Sequence, residues 1–169
     1  MPSAENTMLI RPATEDDLPA ILTIFNEVIR HSTAIYLDHP VELAERRDWF
    51  SARRQAGYPV LVAEQDHEIV GYASFGDFRS YPGYRFTVEH SVHLAPAARG
   101  QGIGRQLVEA LIPLAQSLGK HVMVGAIDAA NEGSIRFHQR LGFAEVARMP
   151  EVGFKFGRWL DLVLMQKTL

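Results

Sequence analysis

Between residues 87 and 104 the chain sets an acid, two imidazoles and three glycines in one run, Thr87-Val-Glu-His-Ser-Val-His-Leu-Ala-Pro-Ala-Ala-Arg-Gly-Gln-Gly-Ile-Gly104. The glycines take alternate positions, 100, 102 and 104, and an apolar helical pattern opens behind them. Leu107, Val108, Leu111, Leu114, Ala115 and Leu118 recur at three and four residues. In front of them, Thr87 to Leu94 is β-branched and apolar enough for a strand. Strand, glycine turn and helix start gather unpaired main-chain N–H groups and a positive dipole end around an anion. Glycine lets that backbone approach a phosphate closely. The chemistry this suits is the holding of a pyrophosphate, mainly by main-chain amides. Arg105 breaks the dinucleotide fingerprint G-x-G-x-x-G, and no Gly-Lys-Ser/Thr follows to make a P-loop. Taken alone, the glycines equally suit a tight connection.

The elements that must position this run follow from the rest of the pattern. Met8 to Arg11 reads as a short strand closed by Pro12, and Thr14 as a cap ahead of Glu15, Asp16 and Asp17. Leu18, Ile21, Leu22, Phe25, Val28 and Ile29 form the buried stripe of a first helix. Residues 31–37 read as a surface loop. A second helix is expected over Val41 to Gln55, stopped by Gly57. Val60 to Glu64 and Ile69 to Phe75 read as a hairpin around Gln65-Asp66-His67. The connection 76–86 is rich in arginine and aromatics, which suits a binding loop. Beyond the central helix, in which Pro113 predicts a kink or an early end, come a strand over His121 to Ile127 and a short helix from Asn131 to near Leu141. Strands over Ala144 to Met149 and Arg158 to Gln166 complete the chain. The order is α/β, with an antiparallel start and one parallel pair around the central helix.

The 169 residues suit one domain with a substantial core. A net charge of −3 argues against a nucleic-acid binder, and the lack of cysteine excludes disulfides, thiolate metal sites and a cysteine nucleophile. His31, His39 and His121 are isolated and show no metal-ligand spacing. No apolar run reaches membrane-span length, and Met-Pro-Ser-Ala-Glu-Asn lacks the parts of a signal peptide, so the expected location is cytoplasmic.

Arg99-x-x-Gly102-x-Gly104 directly after a strand resembles the acetyl-CoA signature of the GNAT family of N-acetyltransferases. Thr87-Val-Glu-His-Ser-Val, Gly100-Gln-Gly-Ile-Gly, Asn131-x-x-Ser-Ile-x-x-His138-x-x-Leu-Gly-Phe143 and Lys155-Phe-Gly-Arg-Trp-Leu-Asp-Leu162 are similar to its phosphinothricin and methionine sulfoximine N-acetyltransferase branch. The resemblance spans nearly the whole chain. It implies a single N-acetyltransferase domain in which a mixed sheet with splayed central strands is flanked by helices. It also implies acetyl-CoA as co-substrate without a metal, a small amino-acid-like substrate and a homodimer.

Carried over position by position, the resemblance implies that Val92, His93 and Leu94 meet the pantetheine arm and acetyl group through their backbone. Arg99, Gly100, Gln101, Gly102, Ile103, Gly104 and Arg105 would form the pyrophosphate turn, with Asn131 and Ser134 at the pantetheine end. Asn131 also suits a plain helix cap. Arg79, Ser80, Tyr81, Glu89, His90 and Ser91 match the substrate-contacting segments. Arg79 or Arg85 would grip a carboxylate or phosphinate in a two-pronged bond, or else be a solvated loop charge. Phe78, Tyr81, Tyr84 and Phe86 would wall the pocket. Lys155, Arg158 and Trp159 would close either the pocket or a dimer interface.

An amine must lose a proton before it attacks a thioester. Glu89 is the leading base for that step, because a carboxylate facing a dry cleft has its pKa raised. Its other possible role is a surface pair with Arg79 or Arg85. His90 is the rival base, but strand alternation points it to the face opposite Glu89, Ser91 and His93, so only one of the two is expected at the cleft. His138 occupies the position where many acetyltransferases place a tyrosine that protonates the departing thiolate. It would act as that acid, bond the cofactor sulfur, or pack. Acetylation of another primary amine, such as a polyamine or a protein N-terminus, and a non-catalytic acetyl-CoA sensor are the competing functions.

Overall fold

The computed structural model describes residues 7–169; the Met-Pro-Ser-Ala-Glu-Asn segment read for targeting signals lies outside the described residues. In chain order the elements are β1 (Met8–Pro12), α1 (Leu18–His31), α2 (Leu43–Gln55), β2 (Val60–Gln65), β3 (Glu68–Asp77) and β4 (Thr87–Leu94). They continue as α3 (Ile103–Ser117), β5 (Val122–Asp128), α4 (Glu132–Arg140), β6 (Ala144–Lys155) and β7 (Arg158–Thr168). The strands form one seven-stranded sheet in the order β1-β2-β3-β4-β5-β7-β6, in which β4 and β5 are parallel and every other pair is antiparallel.

Strand alternation divides the core between the two faces of this sheet. On β2, Val60 and Val62 pack with Leu18, Ile21, Phe25 and Ile29 of α1 and Phe50 of α2. Leu61 and Ala63 point the other way, toward Leu107, Val108 and Leu111 of α3. Each such fully buried side chain contributes about 1.5–3 kcal/mol relative to exposure. In α1 the stripe shifts slightly from the expected one, since Ile24 is buried and Leu22 only half-buried. Ahead of α1, the Asp17 carboxylate accepts the Thr14 N–H at 2.8 Å and pairs with Arg11 at 2.8 Å, which holds its pKa low.

Three expectations change at the edges of elements. Pro113 does not shorten α3, which runs on to Ser117. Glu109 and Pro113 both lie on the exposed side of the helix, so water can take the carbonyl that the proline leaves without a donor. α2 begins at Leu43 rather than Val41, whose N–H and carbonyl are held by the Asn26 side chain at 2.9 and 3.0 Å. β6 runs to Lys155 rather than Met149, across an irregular register between Met149 and Gly153 where Glu151 has φ +55°. A strand with such a bulge has no steady two-residue period to be seen in sequence. The β2–β3 hairpin does turn at Asp66-His67, both in the left-handed region at φ +51° and +66°.

The decisive feature is the parallel pair. β4 and β5 are in register only over Thr87↔Val122, Val88↔Met123 and Glu89↔Val124. Past Glu89, β4 stays on β3 as far as Leu94, and β5 stays on β7 as far as Asp128. The two strands therefore part in mid-sheet and leave a cleft between them.

Candidate active site

The glycine turn sits at one end of this cleft. Gly100 and Gly102 have φ of +77° and +79°, a conformation that side-chain-bearing residues rarely adopt. A Cβ at either would meet nothing within 4 Å, so the turn faces open space. Gly102 precedes α3, and the first helical bond runs from Gln106 N–H to Gly102 O at 3.2 Å, which leaves the N–H groups of Ile103, Gly104 and Arg105 without intrahelical acceptors. The nearby side chains are engaged within the protein. Arg99 bonds Glu27 at 3.0 Å, Gln101 donates to Ala97 O at 3.0 Å, and Arg105 pairs with Glu109 at 2.7 Å. An anion here would rest on main-chain amides, as the glycine spacing predicts. The donor set fits a pyrophosphate.

Between the parted strands lies a cavity of about 300 Å³, bordered by Glu89 to His93 of β4, Gly125 to Asp128 of β5, and Asn131, Ser134 and His138 around α4. Beyond Glu89, β4 is paired along one edge only among the described residues, so the main chain through Val92, His93 and Leu94 offers hydrogen-bonding groups to the cleft. Asn131 accepts the Ser134 N–H at 3.1 Å, capping α4, and still lines the cavity. Its two expected roles are compatible.

Glu89 and His90 point to opposite faces, as strand alternation requires. On the Glu89 face, His93 packs on the Tyr72 ring at 5.6 Å between centroids, while on the other face His90 packs against His138 and Phe143. Both nevertheless border the cavity, against the expectation that only one would, because the cleft passes through the sheet and so touches residues of both faces. The Glu89 side chain is open to the cleft, yet the protein crowded around it raises its carboxyl above the ordinary range, against the opposite pull of Arg53. His138 is 5% exposed; its Nδ1 lies 2.7 Å from Ser134 O and its Nε2 lies 3.0 Å from Nε2 of His90. Burial lowers the pKa of both rings.

Other expected residues lie elsewhere. Arg79, Ser80, Tyr81 and Arg85 are exposed on the connection from β3 to β4 and do not line the cavity. Arg79 stacks on Phe78 and Tyr84, and Arg85 covers Phe86 while donating to Pro82 O at 3.0 Å. None of the four aromatics of this connection walls the cavity. That wall comes from Phe25, Trp49 and Tyr72, with Arg46 among them. Arg46 is 5% exposed, lies 3.7 Å over the Phe25 ring and 4.5 Å over Trp49, and pairs with Glu45. Sequence inspection passed over it because α2 is highly charged. Its one legible signal is a spacing of three from Trp49, which places both on one helix face.

A loop closes the cavity. Ala34 and Ile35 line it, and Lys155, 1% exposed, donates from Nζ to Ser32 O and Ile35 O at 2.6 Å each. Thr33 also bonds Asp128 on β5. Lys155 thus shapes the pocket from behind, whereas Arg158 and Trp159 are exposed.

A split parallel pair, a glycine turn with free main-chain N–H groups and a carboxylate over the gap suit an acyl transferase whose acyl carrier would lie against main chain. The chain belongs to the acetyltransferase (GNAT) family, whose profile matches residues 21–143. It is 51% identical over 162 residues to the L-methionine sulfoximine/L-methionine sulfone acetyltransferase of Salmonella typhimurium, covering 96% of this chain and 95% of that protein. It is 40% identical over 161 residues to the phosphinothricin N-acetyltransferase of Alcaligenes faecalis, covering 95% and 82% respectively. The solved structure of an acetyltransferase from Salmonella typhimurium with its cofactor acetyl-CoA superimposes with a TM-score of 0.94 at 51% identity, covering 97% of this chain and 95% of that one.

Glu89→Gln preserves shape and removes the proton acceptor, so kcat should fall by about 10²–10⁴-fold with acetyl-CoA affinity unchanged. The wild-type rate should decline as pH falls through the raised Glu89 pKa, and that acid limb should vanish in the variant. A variant within a few-fold of wild type from pH 6 to 9 would rule out Glu89 as base.

Proposed function

We propose that this N-acetyltransferase acts on the α-amine of small amino-acid-like substrates of the methionine sulfoximine, methionine sulfone or phosphinothricin type, by direct transfer without a covalent enzyme intermediate. The observation that carries this reading is the small aromatic-walled cavity with the Glu89 carboxylate over the gap between the strands, the Asp128 carboxylate being held by Thr33 and Ala130, and with Arg46 in its wall. The names of the two relatives support the substrate class.

Acetyl-CoA supplies an activated acyl thioester when bound. The amides of Gly100 to Arg105 would hold its pyrophosphate, the free edge of β4 from Val92 to Leu94 its arm, and Asn131 and Ser134 its pantetheine end. Glu89 takes the ammonium proton, directly or through one water, and frees the nitrogen lone pair. His138, across the cleft, would serve as the acid for the departing sulfur when its Nε2 carries a proton. A polyamine would favour a groove without an arginine, and a passive sensor has no need of a perturbed carboxylate over the gap.

A substrate carboxylate needs a cation. Arg46 is the arginine that lines the cavity among the described residues, although Glu45 already shares its charge; Arg79 and Arg85 lie on the connection leading into β4. A homodimer is part of the proposal, supported by the exposed Val146, Met149, Val152, Phe154, Phe156 and Trp159 of the β6–β7 hairpin. Sedimentation at micromolar concentration should give twice the monomer mass, and a monomer would refute it.

A thiol-release assay over a panel of amines tests the substrate class. Methionine sulfoximine, methionine sulfone and phosphinothricin should turn over, and the matching amines lacking the α-carboxylate should lose about 100-fold in kcat/KM, since the charge-assisted bonds to that carboxylate are then not made. Single replacement of Arg46 by Gln, Arg79 by Ala and Arg85 by Ala should raise KM sharply for one of them. Equal turnover of decarboxylated amines would overturn the proposal in favour of a polyamine-type enzyme.

A further inference from the structure

We propose that His90 and His138 bind a single proton between them as one group, with His90 the positioning residue that keeps this proton on the Nε2 edge of His138 beside the cleft. His90 Nδ1 lies 3.0 Å from Val124 O, and His138 Nδ1 lies 2.7 Å from Ser134 O. A carbonyl oxygen can only accept, so both Nδ1 atoms must carry hydrogen. A neutral imidazole has one N–H, which leaves both Nε2 atoms as bare acceptors. Those two atoms are 3.0 Å apart, a hydrogen-bonding separation at which two lone pairs would repel. A third hydrogen resolves the conflict, and three hydrogens on two rings is a singly protonated pair.

The other arrangement moves a hydrogen from Nδ1 to Nε2 on one ring. On His138 it would set a lone pair 2.7 Å from the Ser134 carbonyl, and the Ser134 hydroxyl at 3.5 Å is too distant to serve as the replacement donor. On His90 it would set a lone pair against Val124 O. The close approach of the rings is built into the sheet: β5 carries Gly125 where they meet, and a Cβ there would come within 3.0 Å of His90 and 3.2 Å of His138.

Burial opposes the charge. His90 and His138 are 6% and 5% exposed; desolvation pushes each ring below the ordinary imidazole range, and a charge on His138 pushes His90 further down. Sharing answers this, because one buried charge is stabilised by two nitrogens. Bordering the same cavity are Glu89 and His93 on β4, Asp128 on β5 and Arg46 on α2; on α4, Glu132 and Arg136 pair at the surface, and Phe137 of α4 and Phe143 just before β6 pack edge-on to His138.

The use of the proton rests on the N-acetyltransferase reading. Glu89 passes the ammonium proton on to cleft water before the attack; as the new N–C bond then forms and the C–S bond breaks, the second proton of the nitrogen ends on Glu89 and the sulfur takes the proton of the pair. The pair is left neutral, and the proton released from Glu89 to cleft water reloads it.

The spectroscopic readouts need no substrate, so their failure is distinct from failure of the functional reading. In protein labelled with ¹⁵N-histidine, long-range ¹H–¹⁵N spectra between pH 5 and 8 should show both Nδ1 atoms protonated. The two Nε2 atoms should share one strongly deshielded proton. In His90→Gln, His138 should bind its proton at least tenfold more weakly, a fall of about one pH unit in its midpoint, and the alkaline limb of the rate profile should move with it while the melting temperature stays close to wild type. If His90→Gln does not fold, the wild-type spectrum decides alone. An Nε2–H tautomer on either ring, two rings that stay neutral throughout, or a His138 midpoint unmoved by His90→Gln would overturn the proposal.

Discussion

Everything in this molecule depends on where the pairing of β4 with β5 stops. Three residue pairs hold the strands together, and the fourth does not form. A continuous parallel ladder would satisfy the β4 backbone on both edges and leave no opening. Ending it after Glu89 exposes one edge of β4, opens the cavity and sets Glu89 at the fork. At the point of divergence, side-chain chemistry replaces main-chain pairing: the Val124 carbonyl accepts from His90. The same divergence lets residues from both faces of the sheet share one site.

A gap in a sheet must be held open, and the surrounding elements do this with buried polar anchors. Lys155 places its ammonium on two loop carbonyls, and Thr33 ties that loop to Asp128. Burial lowers the pKa of Lys155, and the two acceptors offset part of that desolvation cost. Arg46 spreads its guanidinium over Phe25 and Trp49. These contacts link the β6–β7 hairpin, the loop after α1 and α2 to the walls of one cavity. Distant parts of the chain thereby set the shape of the cavity.

Much of this was legible in the sequence where local chemistry decides. The strand Thr87 to Leu94 and the opposite facing of Glu89 and His90 follow from alternation, and the cradle follows from glycines before a helical stripe. Alternation could not reveal that His90 also borders the cavity, since that depends on two strands parting. Nor could the composition of the connection 76–86 show that its arginines stack on their own aromatics rather than line the pocket. Arg46 was hidden among charged neighbours, and only tertiary packing distinguishes it from the exposed Arg47. Lys155 was legible as a residue of interest, but its partners are more than a hundred positions away.

The central claim is that backbone groups exposed by the fork, rather than side chains, hold the acyl carrier. Residue-resolved amide hydrogen exchange with and without acetyl-CoA tests it most directly. The account predicts marked slowing at the amides of Gly102 to Arg105 and on the free edge of β4 beyond Glu89, with little change on β1 and β2. Saturating acetyl-CoA that leaves those amides exchanging at their free rate would contradict it.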